Sequence, residues 1–207
     1  MHFPSLSLHA NLPLLLLALL AGLHAGDATG PTPFPDPKDE KAWAGTGPIR
    51  VHDWMRDNRK YFWSQRDQAQ GAVVFVGDSL TGGWKAEQMK AGFPGMKLAN
   101  RGIGGDVSRG VFFRFREDVL DLKPKAIVLL IGTNDLSSHA APAGIVENIS
   151  AIIAQARTYS ATVPIVLCTV SLIAAVSTMS KSLAWPSSST RRSRIRLTSA
   201  RIIASLE

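Results

Sequence analysis

The chain has 207 residues, 45% of them hydrophobic, enough for one globular domain of ordinary size with extra terminal segments. Its formal net charge of +7 is uneven: residues 181–207 hold six Lys or Arg and one acidic residue, which leaves only +2 for the remainder. A basic tail, not a basic domain, sets the high pI, so the main domain lacks the electrostatic footprint of a nucleic-acid binder.

The apolar run PLLLLALL (13–20) has the length of a signal-peptide core and is too short to span a bilayer. Small residues follow it, suiting cleavage after Ala25 or Ala28, although no Lys or Arg precedes it. Residues 1–25 are therefore expected to be a signal peptide and the protein to be secreted or periplasmic, with no transmembrane segment after cleavage. Residues 26–48, rich in Gly, Pro, Asp and Lys, read as a solvated linker to a domain spanning 49–175. From Val51 to Gln68 the pattern predicts an amphipathic helix that packs through Trp54, Met55, Tyr61 and Phe62, with His52 in a surface or capping role.

Strand and helix patterns then alternate. AVVFV (72–76) is apolar throughout, as in strands of buried parallel sheets, and a shorter strand is expected around MKLAN (96–100). A helix follows from Ser108 to Leu122, with Val111, Phe112, Phe115, Val119 and Leu122 on one side. AIVLLI (126–131) is the next strand. A helix over 143–158 carries Ile145, Val146, Ile149, Ile152, Ile153 and Ala156 at helical spacing, and PIVLCTV (164–170) supplies a further strand. In that strand Cys168, the single cysteine, excludes an intramolecular disulfide and is expected as a packed core thiol. Strict alternation implies a parallel sheet covered on both faces.

In such sheets ligands bind outside the carboxyl ends of the strands. Three of these ends carry chemistry: GDS at 77–79, NRGIGGD at 100–106 and GTND at 132–135. Asp78 or Ser79 would suit a helix cap, but Ser79 also suits a nucleophile whose oxygen is exposed at a strand-to-helix turn. Gly105 suits a backbone oxyanion donor and Asn134 an amide donor, unless the two glycines serve only a turn and Asn134-Asp135 only a helix approach.

With the three blocks in order, the segment from Val73 to Val170 resembles the SGNH, or GDSL, hydrolase family. The likeness is to the branch of platelet-activating-factor acetylhydrolase catalytic subunits and bacterial GDSL acetylesterases. The resemblance places Ser79 at the nucleophile and Gly105 and Asn134 at the oxyanion hole. It implies an α/β, three-layer, flavodoxin-like fold and ester hydrolysis without cofactor or metal. The implied substrate is a small acyl ester or an acetylated carbohydrate. The GxSxG elbow of the α/β-hydrolases is absent from the sequence.

The family keeps its catalytic Asp and His in a late Asp-x-x-His block, and no such spacing occurs in the 207 residues. The histidines are His2, His9, His24, His52 and His139; His139, shortly after Asn134, is the one candidate for a replacement base. Residues 176–207, rich in Ser and Arg, read as an irregular tail where the fifth strand and last helix are expected. A frameshifted or truncated enzyme and a non-catalytic ester- or glycan-binding module both account for this pattern.

Overall fold

The computed structural model describes residues 29–168, so the expected signal peptide and irregular tail, with His2, His9 and His24, lie outside the described residues. The elements follow the expected alternation: α1 (Asp53–Ser64), β1 (Val73–Gly77), α2 (Ser79–Gly82), α3 (Ala86–Gly92), β2 (Leu98–Gly102), α4 (Ser108–Asp118), β3 (Ala126–Leu130), α5 (Thr133–Ser137), α6 (Pro142–Tyr159) and β4 (Ile165–Leu167). All strand pairs are parallel and the order is β2-β1-β3-β4, the flavodoxin-like doubly wound order over these four strands. The fold is α/β, a parallel sheet flanked by helices. Gly77 stands in register with both Gly102 and Leu130, so β1, β2 and β3 end at one level.

The two-residue period of β1 assigns its side chains to opposite layers. Val74 and Val76 are fully buried against Val111 and Phe115 of α4, Ile152 and Ala156 of α6, and Ile127 and Leu129 of β3. Phe75 points to the other face, where Trp84 and Phe93, which bracket α3, pack on its ring at 6.2 and 5.3 Å between centroids. That face is more open among the described residues: Val128, level with Phe75, is half-buried, and Val166 beyond it is exposed.

Several expectations need correction. Helix α1 does not pack through all its aromatics: Met55 and Phe62 are buried, but Trp54 and Tyr61 are exposed, and the third buried position is Arg59. A guanidinium can take that apolar-face position because its donors are used: it pairs with Glu117 (2.5 Å) and Asp118 (3.4 Å), donates to Thr32 O, and lies over the rings of Phe34 and Phe113. In α6, Val146 is exposed, whereas Asn148 is buried. Cys168 is half-buried rather than a core thiol, because β4 is itself only partly covered.

Residues 31–50 are solvated along most of their length, as expected of a linker, yet they are anchored to the domain. Trp43 is buried in a cluster with Phe34 and Phe113, in which each ring touches the other two. The guanidinium of Arg109 donates to the backbone oxygens of Glu40, Trp43, Ala44 and Gly47 at 3.1–3.2 Å. Asn148 exchanges hydrogen bonds with both Thr46 N–H and Thr46 O. We call this segment the strap.

Candidate active site

At the end of β1 the chain turns within one residue. Asp78 takes the N-cap of α2, its carboxylate accepting from Leu80 N–H at 2.9 Å, and Ser79 begins the helix. The two readings of this turn are therefore divided between neighbours: Asp78 is the cap, fully buried, and Ser79 is exposed. Burial pushes the Asp78 carboxyl above its ordinary range, with the Asp135 charge adding to the rise and Leu80 N–H opposing it. The turn needs close backbone approach. A Cβ on Gly102, at the end of β2, would come within 2.7 Å of Gly82 Cα and of Thr81 C, so α2 rests directly on the β2 backbone.

The end of β2 supplies the second wall. Ile103 O accepts from Asp106 N–H at 3.2 Å, closing a turn in which Gly105 has φ +83°. Positive φ at the third position marks a type II turn, which an L side chain resists. A Cβ built on Gly104 would lie 3.9 Å from Ser79 Cβ, so this turn flanks the serine. Gly105 N–H and Ser79 Oγ have no hydrogen-bond partner among the described residues.

The third wall follows β3. Asn134, in the first turn of α5, donates through Nδ2 to Asp106 O at 2.9 Å and, over a longer 3.4 Å, to Asp78 Oδ2. One side-chain amide thus touches the residues adjoining both Ser79 and Gly105. The three positions singled out in the sequence meet at the carboxyl edge of the sheet, as their in-register strand ends require.

Beneath them lies a buried ionic network. Arg114, fully buried in α4, reaches Asp106 at 2.8 Å, Asp118 at 3.2 Å, Gly77 O at 3.2 Å and Arg101 O at 2.9 Å. It thereby joins the ends of β1 and β2 to the turn after β2. Burial raises the Asp106 carboxyl above its ordinary range, against the opposing charge and hydrogen bond of Arg114. Asp135 accepts from Ser108 N–H (2.9 Å) and Ser108 Oγ (2.6 Å), and Asn148 donates to the same hydroxyl at 2.8 Å. Sequence reading missed these residues because a buried Arg or Asn breaks the apolar period that marks a core face. The i, i+4 pair Arg114–Asp118 was the one local signal.

The histidines stand apart. His139 is exposed, at φ +58° just past α5, and makes no side-chain hydrogen bond among the described residues. His52 is the N-cap of α1, its backbone O accepting from Met55 and Arg56 N–H, and its ring stacks on Trp54 at 4.2 Å. Neither hydrogen-bonds to Ser79. A groove of about 740 Å³ runs beside β2 past Tyr61, Trp84 and Asn100, and it includes none of Ser79, Gly105 and Asn134. Among the described residues no cluster of three His, Cys, Asp or Glu has metal-holding geometry, and no helix is long and apolar enough to cross a membrane.

A model of GDSL-like lipases and acylhydrolases matches residues 75–205, more than half the chain. The chain belongs to the GDSL-like lipase/acylhydrolase family. The match runs well into the stretch read from the sequence as an irregular tail. Among curated relatives, the human platelet-activating factor acetylhydrolase IB subunit alpha2 is 33% identical over 89 residues, 42% of this chain and 38% of that protein. A Bacillus subtilis lipoprotein, YqeF, is 41% identical over 76 residues, 30% of this chain and 31% of that one. The matched stretch thus spans well under half the length of these relatives. Among solved structures, a Bacteroides fragilis protein described as an acylhydrolase is 28% identical with a TM-score of 0.48, over 56% of this chain and 58% of that one. An esterase of the SGNH-hydrolase family, AlinE4, is 25% identical with a TM-score of 0.39, over 47% of this chain and 58% of that one.

Proposed function

We propose that this GDSL-like chain is a serine esterase acting on small acyl esters, acetyl esters foremost, including those of carbohydrates. Ser79 Oγ attacks the ester carbonyl, and the N–H groups of Ser79 and Gly105 with the Asn134 amide receive the developing negative charge. The alcohol then leaves, and water releases the acid from the acyl-serine. The observation that carries this reading is the convergence at one sheet edge of an exposed Ser79, a Gly105 N–H unpartnered among the described residues, and the Asn134 amide. The apolar run at 13–20 supports export to a secreted or periplasmic location, where acetylated polymers would be met.

The 207 residues contain no Asp-x-x-His, and a serine without a base is a weak nucleophile. We infer that turnover by this chain is low, and that supplying a family-type Asp-x-x-His segment raises it by about 10³-fold or more. The exposure of His52 and His139, with no bond from either to Ser79, also favours a rival, a module that binds esters or glycans without turning them over. Hydrolysis of p-nitrophenyl acetate by the chain, its Ser79→Ala variant and both proteins with the grafted segment separates the two. The esterase reading requires a gain on grafting that Ser79→Ala abolishes. A folded grafted protein that stays inert overturns it, and brisk hydrolysis by the ungrafted chain that His139→Ala removes would make His139 the base.

A further inference from the structure

Trp54 is a large aromatic residue left about half exposed (52%), which hydrophobic packing does not explain. Its one polar atom is nevertheless committed: Nε1–H donates to Gly104 O at 3.0 Å. That carbonyl belongs to the same peptide unit as Gly105 N–H. In a planar trans peptide the C=O and N–H point in opposite directions, so fixing one direction fixes the other.

The unit is also the central peptide of the turn from Ile103 to Asp106. Such a peptide has two orientations, types I and II, which differ by a flip of about 180° and by the sign of φ at the third residue. With glycine at both central positions neither orientation is sterically barred. The turn as built is therefore bistable in isolation, and something outside it must choose. Trp54 binds Gly104 O where the type II form places it, with Gly105 at φ +83°. Arg50, at the end of the strap, donates to Gly105 O at 3.4 Å, to Asn134 O at 3.3 Å and to Ser138 Oγ, tying the same turn to α5. A carbonyl that accepts a hydrogen bond also polarises its peptide, which strengthens the N–H on the far side as a donor.

We propose that Trp54, seconded by Arg50, is a positioning residue that holds the Gly104–Gly105 peptide in the one orientation in which Gly105 N–H is presented beside Ser79. Its catalytic consequence rests on the oxyanion role proposed above for Gly105; the orientation of the peptide does not.

The test uses the full chain labelled with glycine carrying 13C at the carbonyl and 15N at the amide. An HNCO spectrum then shows only Gly-Gly peptides, of which the sequence has two, Gly82–Gly83 and Gly104–Gly105. In Trp54→Phe, which keeps an aromatic ring for His52 and loses the N–H, the Gly104–Gly105 cross-peak moves from its parent position, splits or broadens while the Gly82–Gly83 peak stays in place and single. In His52→Ala, which disturbs the ring stack and keeps the N–H, both peaks stay single. A Gly104–Gly105 peak that stays single, sharp and at its parent position in Trp54→Phe overturns the proposal, as does equal broadening of both peaks, which signals general loosening. In the grafted esterase, Trp54→Phe lowers kcat by about 10-fold or more with KM little changed, a fraction of the 10²–10³ that loss of a whole oxyanion donor costs. A rise in KM alone overturns the positioning role. Inertness of the parent enzyme sinks the esterase reading and leaves the spectral result to decide the orientation.

Discussion

Replacing Arg114 by Met removes a cation that is fully buried while keeping an unbranched chain of similar length. Asp118 retains Arg59 at 3.4 Å, and Gly77 O retains Ile103 N–H at 2.9 Å. Asp106 is the group left exposed to the loss, since Arg114 is its ion-pair partner among the described residues and it stays buried. Stranding one member of a buried pair costs about 3–5 kcal/mol, a large part of the stability of an ordinary domain. The loss depends on pH with a definite sign. Asp106 already has a raised folded value, and without Arg114 it rises further, so the native state binds the extra proton above the unfolded value of 3.8. Stability therefore falls as pH rises through that window, and the deficit relative to the parent narrows toward acid by up to about 1.4 kcal/mol per pH unit. Adding Asp106→Asn removes the stranded charge and keeps an acceptor for Val107 N–H at 3.0 Å, so it restores much of the loss. Urea unfolding followed by tryptophan fluorescence at pH 7.5 and 5.5, on the parent, both single variants and the double, reads all of this. A loss under about 1 kcal/mol for Arg114→Met, or two losses that simply add, refutes the reasoning.

Gly102→Ala should cost about 1–3 kcal/mol, because its Cβ meets Gly82 and Thr81 backbone that cannot move aside, whereas Gly92→Ala, with open space around it, should be neutral or slightly stabilising. Both are checked by urea midpoints. Asp78→Asn keeps an acceptor for Leu80 N–H and removes a buried charge, so the variant should match or exceed the parent by about 1 kcal/mol at pH 7. Since the Asp78 folded value is raised, that advantage shrinks as pH falls toward 3.8, and a growing advantage in acid would contradict the assignment. Asn148→Ala deletes bonds to Thr46 and Ser108 in a buried setting, for about 2–3 kcal/mol, and should speed tryptic cleavage at Lys41 in the strap. An unchanged cleavage rate would mean that Trp43 and Arg109 hold the strap without it.

The layers were legible because their signal is local. AVVFV and AIVLLI are apolar without a break, and glycine punctuates each strand end that builds the site, at Gly77, at Gly104-Gly105 and at Gly132. Ser79, Gly105 and Asn134 could be placed together because parallel strands in register leave their following turns no other edge. Arg59 shows where this reading stops. It shares a helical face with Met55 and Phe62, yet its burial depends on Thr32, Phe34, Phe113 and Glu117, whose approach no periodicity encodes. Trp54 fails in the opposite direction: an aromatic at a core-like spacing stays at the surface because its indole N–H is wanted by a carbonyl 50 residues away.

The strap also decides where this protein may be cut. A shortened form starting at residue 49, the boundary that composition suggests, would remove all four backbone oxygens that receive the Arg109 guanidinium, along with Thr32 O at Arg59. Both cations would remain inside with unused donors, a poor starting point for expression or for grafting the sheet into another scaffold. A start at or before residue 31 keeps every acceptor, so the working unit for anyone recombining this domain begins about 22 residues upstream of α1.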